Sequence, residues 1–276
     1  MKRPKNSFLF EKLGVSYTIS AVIMTVTAIS LTLVASSYAY QILEQQRGAT
    51  EFDAARGSIL AFNDALENIA WKSQASRSAR FTVNYGQLEL IPDRRLIVNI
   101  TDYPGASYSY STGYITYGTK TRYVNFGEGY RSYFLGDNGT LSTGAGSYGR
   151  GSIEQIPGWV YITLSYGVRA MKASTIETTQ GTVRVNNVDI WIIRISIPDS
   201  SRGINIGDFD LKAKCLNVTT DTRAGPDGNG YPVLNEHKQC NIVVQLGDNP
   251  LDAVTIELDG DKVVFNFVVA TVQVNV

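Results

Sequence analysis

Few residues in the chain have the chemistry of a catalytic or metal centre. There is one histidine, His237, set between Glu236 and Lys238, and there are two cysteines, Cys215 and Cys240. Zinc, iron–sulfur and thiol chemistry need several such ligands at close spacing, and this set does not provide them. Asp221, Asp227 and Asn229 could offer oxygen atoms to a hard cation. Their spacing is not that of an EF-hand loop, and no closing glutamate stands where one is needed. Gly144-Ala145-Gly146-Ser147-Tyr148-Gly149 spells G-x-G-x-x-G. A dinucleotide site needs a buried strand before that motif and a helix after it, whereas here polar residues precede it and Pro157 soon follows. No G-x-S-x-G, H-E-x-x-H or Walker loop is spelled. The expectation is a protein that is not an enzyme and uses no cofactor or metal.

Composition points the same way. The 276 residues carry 25 Lys+Arg against 25 Asp+Glu, and charged residues make up only 18%. A formal charge near zero gives no electrostatic reason to expect nucleic acid as a partner. Gly (25) and Tyr (16) are abundant, a mixture that suits β-rich extracellular material better than a helical cytosolic enzyme.

The first fifth of the chain is the most informative. Lys2, Arg3, Lys5 and Lys12 form a basic leader opposed only by Glu11, and from Leu13 to Leu43 no side chain is charged. Thirty-one residues at about 1.5 Å each make a helix of roughly 45 Å, enough to cross a bilayer core of about 30 Å. The basic flank places the N-terminus in the cytoplasm and everything after Leu43 outside. Phe52, Ala55, Ile59, Phe62, Leu66 and Ile69 then follow at spacings of 3, 4, 3, 4 and 3. That is one apolar stripe on a helix, and no proline stands between Val15 and Tyr85. The pattern predicts a single helix of about 60 residues, apolar all round at first and amphipathic later, bent at Gly48 and Gly57. An uncleaved membrane anchor fits this pattern. So does a secretory signal ending at Ser37-Tyr38-Ala39, although its apolar region of about 20 residues exceeds the usual 7–15.

A third reading comes from a resemblance. The short basic leader, then Lys12-Leu13-Gly14 followed by Val15-Ser16, then the long uncharged helix, resembles the class III signal of archaeal type IV pilins and related surface proteins. Two positions depart from the pattern: Leu13 stands where archaeal members often carry a charge, and Ile19 where bacterial pilins carry Glu. The resemblance implies cleavage after Gly14 by a membrane prepilin peptidase, with Lys12, Gly14 and Val15 as the processing residues. It further implies a helix that sits in the membrane before assembly by the pilus machinery and then packs with its copies in a filament core. Val15, Ile19, Val22, Ile23, Val26, Ile29, Leu33 and Val34 are the expected membrane and assembly contacts. The stripe from Phe52 to Ile69 would hold the helix to the head. Without residues 1–14 the chain would carry 21 basic and 24 acidic side chains, a net charge of −3.

The organisation expected is thus a cleaved leader over 1–14, an assembly helix over 15–43, its amphipathic continuation over 44–79, and an extracellular head over 80–276. In the head the period changes to two, and the fold class expected is α+β, a long helix packed on a β-sandwich-like, mostly antiparallel head. Thr82–Tyr85, Leu88–Leu90 and Leu96–Ile100 read as three strands. From Val188 to Ile197 the alternation shifts phase by one residue at Ile192–Ile193, which predicts a β-bulge there. Asn186-Asn187 and Asp259-Gly260 read as hairpin turns. Val272, Val274 and Val276 read as a docked final strand. Asn138 to Gly151 reads as a flexible surface loop.

Two covalent modifications are expected on the outer side. Cys215 and Cys240 enclose 24 residues, and their disulfide would stabilise by roughly 3 kcal/mol in the chain-entropy model. Asn99, Asn138 and Asn217 each begin an N-x-Ser/Thr sequon. Asn138 lies in the most loop-like surroundings, and Asn99, near a strand end, is expected to be partly buried.

Between Tyr103 and Tyr166 lie 11 of the 16 Tyr and 12 of the 25 Gly. These rings either pack one face of the strands or form a contact surface for glycans or neighbouring subunits. The leading functional expectation is a structural pilin-like subunit, major or minor, of a surface filament. The alternative is a membrane-anchored surface glycoprotein that binds glycans or another cell through its Tyr-rich head. A secreted enzyme domain is the weakest alternative.

Overall fold

The structure is a computed structural model and describes residues 9–143, 146–177, 183–233, 238–247 and 250–276, with side chains in the helix from Tyr17 onward. His237, Gly144 and Ala145 lie outside the described residues. The chain divides into two units, residues 1–47 and 48–276.

A single helix, α1, runs from Leu9 to Ala70, 62 residues, and continues through Gly48 and Gly57. Gly48 serves a close approach: a Cβ there would stand 2.5 Å from the Tyr123 ring. At Gly57 a Cβ would meet nothing within 4 Å. The helix stops nine residues short of the expected Ala79. Lys72 donates its N–H to the Ile69 carbonyl, and Gln74 adopts a positive φ of 66°. Ser76 then enters a sheet ladder opposite Lys214, so strand pairing overrides residues that would tolerate further helix.

Among the described residues of the second unit, thirteen strands follow. They are β1 (Ser76–Ile100), β2 (Tyr108–Lys120), β3 (Arg131–Leu135), β4 (Leu141–Ser142), β5 (Gly149–Ile156), β6 (Trp159–Tyr166) and β7 (Val168–Glu177). The remainder are β8 (Arg184–Ser196), β9 (Gly203–Arg223), β10 (Tyr231–Pro232), β11 (Gln239–Leu246), β12 (Asp252–Glu257) and β13 (Lys262–Asn275). They form one hydrogen-bonded sheet, in which β13 runs parallel to β8, β4 runs parallel to β7, and the other pairs are antiparallel. The fold is therefore α+β, a long N-terminal helix packed on a large, mostly antiparallel sheet.

The sheet is continuous, yet it encloses two apolar cores. The first gathers α1 from Phe52 to Ala70 with β1, β2, β6, β9 and the last third of β13. The second gathers the end of β1 with β11, β12, β7 and the first halves of β8 and β13. Tyr108 of β2 lies 5.2 Å from Phe267 of β13, ring to ring, so distant parts of the one sheet face each other there.

This arrangement corrects the bulge expected at Ile192–Ile193. The β8–β13 register is unbroken from Val185 to Ser196. Val188, Ile190 and Ile192 enter the second core, and Ile193, Ile195 and Ile197 enter the first. β13 changes face at the matching rung, with Val269 in one core and Ala270 in the other. The phase shift thus marks where two paired strands pass from one core to the other, with opposite faces buried. A bulge does occur one strand away, in β9, where Cys215 and Asn217 stand opposite consecutive residues Val272 and Thr271.

Other local expectations change for similar reasons. The three strands predicted between Thr82 and Ile100 are one strand, β1, whose partners shift register at Val83/Leu88 and Ile91/Arg94. Asn186 and Asn187 lie inside β8 and form no hairpin. The buried Asn186 side chain instead accepts from the N–H groups of Asp259 and Gly260 and donates to the Lys262 carbonyl. Asp259-Gly260 consequently links β12 to β13, strands that do not pair with each other. The final strand is docked between β8 and β9. The segment from Asn138 to Gly151 contains β4 and the start of β5. Gly149 opens a strand, so no helix follows the glycine motif.

Candidate functional site

Two stretches of α1 are candidates for function, and they differ in what covers them. From Tyr17 to Leu43 every residue is exposed. Ile19, Val22, Ile23, Val26, Ile29, Leu33 and Val34 each expose more than half of their surface; the side chains of Lys12 and Val15, and the surroundings of Gly14, lie outside what the structure describes. By length and composition this segment could cross a membrane. Three of its threonine hydroxyls are satisfied within the helix. Thr25 donates to the Ala21 carbonyl at 2.5 Å, Thr32 to Ala28 at 2.8 Å, and Thr27 to Ile23. Such back-bonding satisfies these three donors on the apolar surface, which makes their burial against lipid or another helix less costly. Apolar exposure on this scale is rare on soluble monomers and marks a surface that something else covers.

From Glu51 onward one face of the helix is covered by its own chain. Phe52, Ala55, Ile59, Phe62, Leu66 and Ile69 are 0–3% exposed, and all six lie in the first core. Each fully buried Ile, Leu or Phe stabilises by about 1.5–3 kcal/mol through surface removed from water. Phe52 meets the rings of Tyr117 and Phe126 at 6.3 and 5.9 Å, and Trp71, just past the helix, meets Trp191 edge-on at 4.9 Å.

Polar contacts on either flank of this stripe escaped the sequence analysis. Glu51 is 8% exposed. Its carboxylate accepts N–H groups from Asn84 (2.7 Å), Tyr85 (3.0 Å) and Gly86 (3.0 Å), and the Tyr117 hydroxyl at 2.9 Å. These amides belong to the stretch where the β1–β9 ladder breaks, between Val83 and Leu88, so the glutamate replaces missing sheet partners. Gly86 is required at this place because a Cβ would stand 2.5 Å from the Tyr117 ring. Burial and the Glu51 charge together push the Tyr117 phenol well above its ordinary range. Sixteen residues on, Glu67 accepts from the N–H groups of Tyr148 (2.9 Å) and Gly149 (3.1 Å) and from the Ser147 hydroxyl. At 100° per residue, Glu51 and Glu67 lie on opposite borders of the apolar stripe. Charges in such places are ordinarily solvated, and nothing in the sequence distinguishes these two.

The tyrosines between 103 and 166 serve packing more than display. Tyr103, Tyr117, Tyr123 and Tyr166 are buried, and of the 11 only Tyr130 is exposed. The asparagines of the three sequons are exposed. Asn99 stands on the outer side of β1, where the Ser107 hydroxyl donates to it, and it is not buried as expected near a strand end. Asn138 accepts from Tyr133 at 2.6 Å, and Asn217 lies in β9. Asp221, one of the oxygen ligands considered above, pairs with Arg223 at 2.8 Å.

The expected disulfide is absent, because Cys215 and Cys240 are separate, buried, free thiols. Cys215 follows Lys214, which faces Ser76 at the start of β1. Cys240 lies two residues before Ile242, which faces Ile100 at the other end of that 25-residue strand. The Cys215 thiol donates to the Ala70 carbonyl at 3.1 Å, close to the end of α1. Burial pushes the Cys215 thiol up, and burial with the nearby Asp102 carboxylate pushes Cys240 up to about 12. Because the thiolate is the reactive form, both groups are inert at pH 8. Titration of the full chain with a chromogenic disulfide reagent at pH 8 should therefore find no reactive thiol when folded and two in guanidinium without reductant. A folded chain with no thiols in guanidinium would restore the disulfide. Comparison with known protein families, with curated proteins and with solved structures finds nothing that matches this chain.

Proposed function

We propose that the chain is a structural subunit, major or minor, of an archaeal type IV pilus-like surface filament. In this reading the leader is removed after Gly14 and the exposed helix holds the chain in the membrane. That helix then exchanges lipid for the same helix of neighbouring copies, while the head faces outward at the cell surface. No cofactor or catalytic residue takes part. The observation that carries the proposal is a helix wholly exposed and uncharged from Tyr17 to Leu43, part of one helix with a segment whose apolar stripe is built into the head. The class III-like sequence around Gly14 supplies the processing step. The driving force is burial of apolar surface at about 25 cal/mol per Å² where water is displaced, with close packing inside lipid.

The test is intact mass and N-terminal sequencing of the chain from its native cell surface, together with electron microscopy. A chain that starts at Val15 and is found in filaments is the expected result. Val22→Lys with Val26→Lys should abolish filaments while the head keeps its protease resistance. A chain that keeps Met1 and forms no filament would support the membrane-anchored surface glycoprotein instead, for which the exposed Asn99, Asn138 and Asn217 are the available glycosylation sites.

A further inference from the structure

The outer face of the sheet section β3–β5–β6–β2 carries a recess that the filament reading does not use. Period-two alternation sends Gly151 and Ile153 of β5 inward and places Arg150, Ser152 and Glu154 on the opposite face. Across the β5–β6 ladder, Arg150 stands opposite Ser165 and Ser152 opposite Thr163. Outer-face residues of a sheet are normally open to water, yet Arg150 is 9% and Ser165 6% exposed. They lie in a cleft of about 430 Å³ walled by Tyr114 and Arg94, and a second cleft of about 210 Å³ shares Arg150. The larger volume is within the range of small-molecule sites.

The charges around Arg150 are already assigned. Arg131 pairs with Glu154 at 3.8 Å, and Asp93 with Arg202 at 3.2 Å. In the smaller cleft the Asp252 carboxylate accepts the N–H groups of Thr140 and Leu141. Arg150 differs from these. Its hydrogen bonds, both from Nη2 at 3.2 Å, go to the Tyr133 hydroxyl and the Asn138 side-chain oxygen, which are neutral, and the Tyr133 ring lies 5.2 Å from its guanidinium. A buried cation without a carboxylate partner is costly. The guanidinium has five N–H donors in a fork that matches a carboxylate, and Nη2 accounts for only two of them.

We propose that this recess binds a carboxylated saccharide unit, its carboxylate on Arg150 and its ring hydroxyls on Ser152, Thr163 and Ser165. The hydroxyl-rich wall favours a saccharide over an acidic peptide. β5 lies between β3 and β6, and β6 between β5 and β2, so the strands that carry these four residues offer a peptide no open edge and recognition falls to side chains. The inference is independent of filament assembly.

The test titrates the full chain, in detergent micelles, with glucuronate, glucose and N-acetylglutamate, followed by saturation-transfer NMR. Glucuronate should bind at least tenfold more tightly than either of the others, and added salt should weaken it. Arg150→Gln should lower glucuronate affinity at least tenfold, and Ser152→Ala, which leaves the guanidinium in place, severalfold. Absence of glucuronate binding, or equal binding of glucose, overturns the proposal. Equal binding of N-acetylglutamate overturns it in favour of an acidic peptide. If Arg150→Gln does not fold, Ser152→Ala decides, and wild-type affinity in that variant, or in a folded Arg150→Gln chain, overturns the site.

Discussion

A chain carrying Ile59→Asp together with Phe62→Asp should fail to form a protease-resistant head. Both positions are 0% exposed in the first core, where they meet residues of several strands. The double change removes about 3–6 kcal/mol of apolar burial and leaves two carboxylates to be buried without partners or kept protonated, at several kcal/mol more. The sum is comparable to the whole stability of a typical domain, about 5–15 kcal/mol. Limited proteolysis of the full chain in detergent, followed by intact mass, reads the outcome. Gly57→Ala is the matched control on the same helix, because its new Cβ meets nothing within 4 Å. It should be neutral or stabilising by up to about 1 kcal/mol. An undiminished resistant head in the double variant would mean that the helix does not form the core.

Glu51→Leu should destabilise the head by about 3–5 kcal/mol, although leucine is apolar and a good helix former. The loss comes from the other partners. The amides of Asn84, Tyr85 and Gly86 and the hydroxyl of Tyr117 all donate to this carboxylate; a buried donor left without an acceptor costs about 1–3 kcal/mol, and the part-buried amides lose less because water reaches them. Tyr117→Phe removes a single donor and its bond together, so it should cost only about 1 kcal/mol. Urea unfolding followed by tryptophan fluorescence separates the two, since Trp71 and Trp191 are in contact near the end of α1. Equal, small effects would show that water replaces the carboxylate. That outcome would remove Glu51 as the link between the helix and the irregular stretch of β1.

The two variants probe different parts of one attachment. The stripe supplies the non-directional energy of burial, which any residues of suitable size could supply. Glu51 and Glu67 supply direction: each receives backbone amides from one place in the sheet, Asn84–Gly86 or Tyr148–Gly149. Sliding or rotating the helix by one residue would strand both sets of donors.

The sequence alone settled what depends on neighbouring residues. The absence of charge from Leu13 to Leu43 and the 3–4 spacing from Phe52 to Ile69 are periodic properties of a contiguous segment, and a helix must convert them into an apolar rod and an apolar stripe. Both are present in the structure, as is the docked final strand. Strand partners were not legible, because pairing is decided between segments far apart in the chain, where many registers satisfy the same alternation. Three outcomes followed from that. The phase shift at Ile192–Ile193 marks two cores and not a bulge; Asn186 stabilises the Asp259-Gly260 turn from inside a strand; and Cys215 and Cys240 lie toward opposite ends of β1. The roles of Glu51 and Arg150 were hidden for a related reason. A charge is solvated or buried according to what the rest of the fold places over it, and only the tertiary structure places β1 against one and the recess around the other.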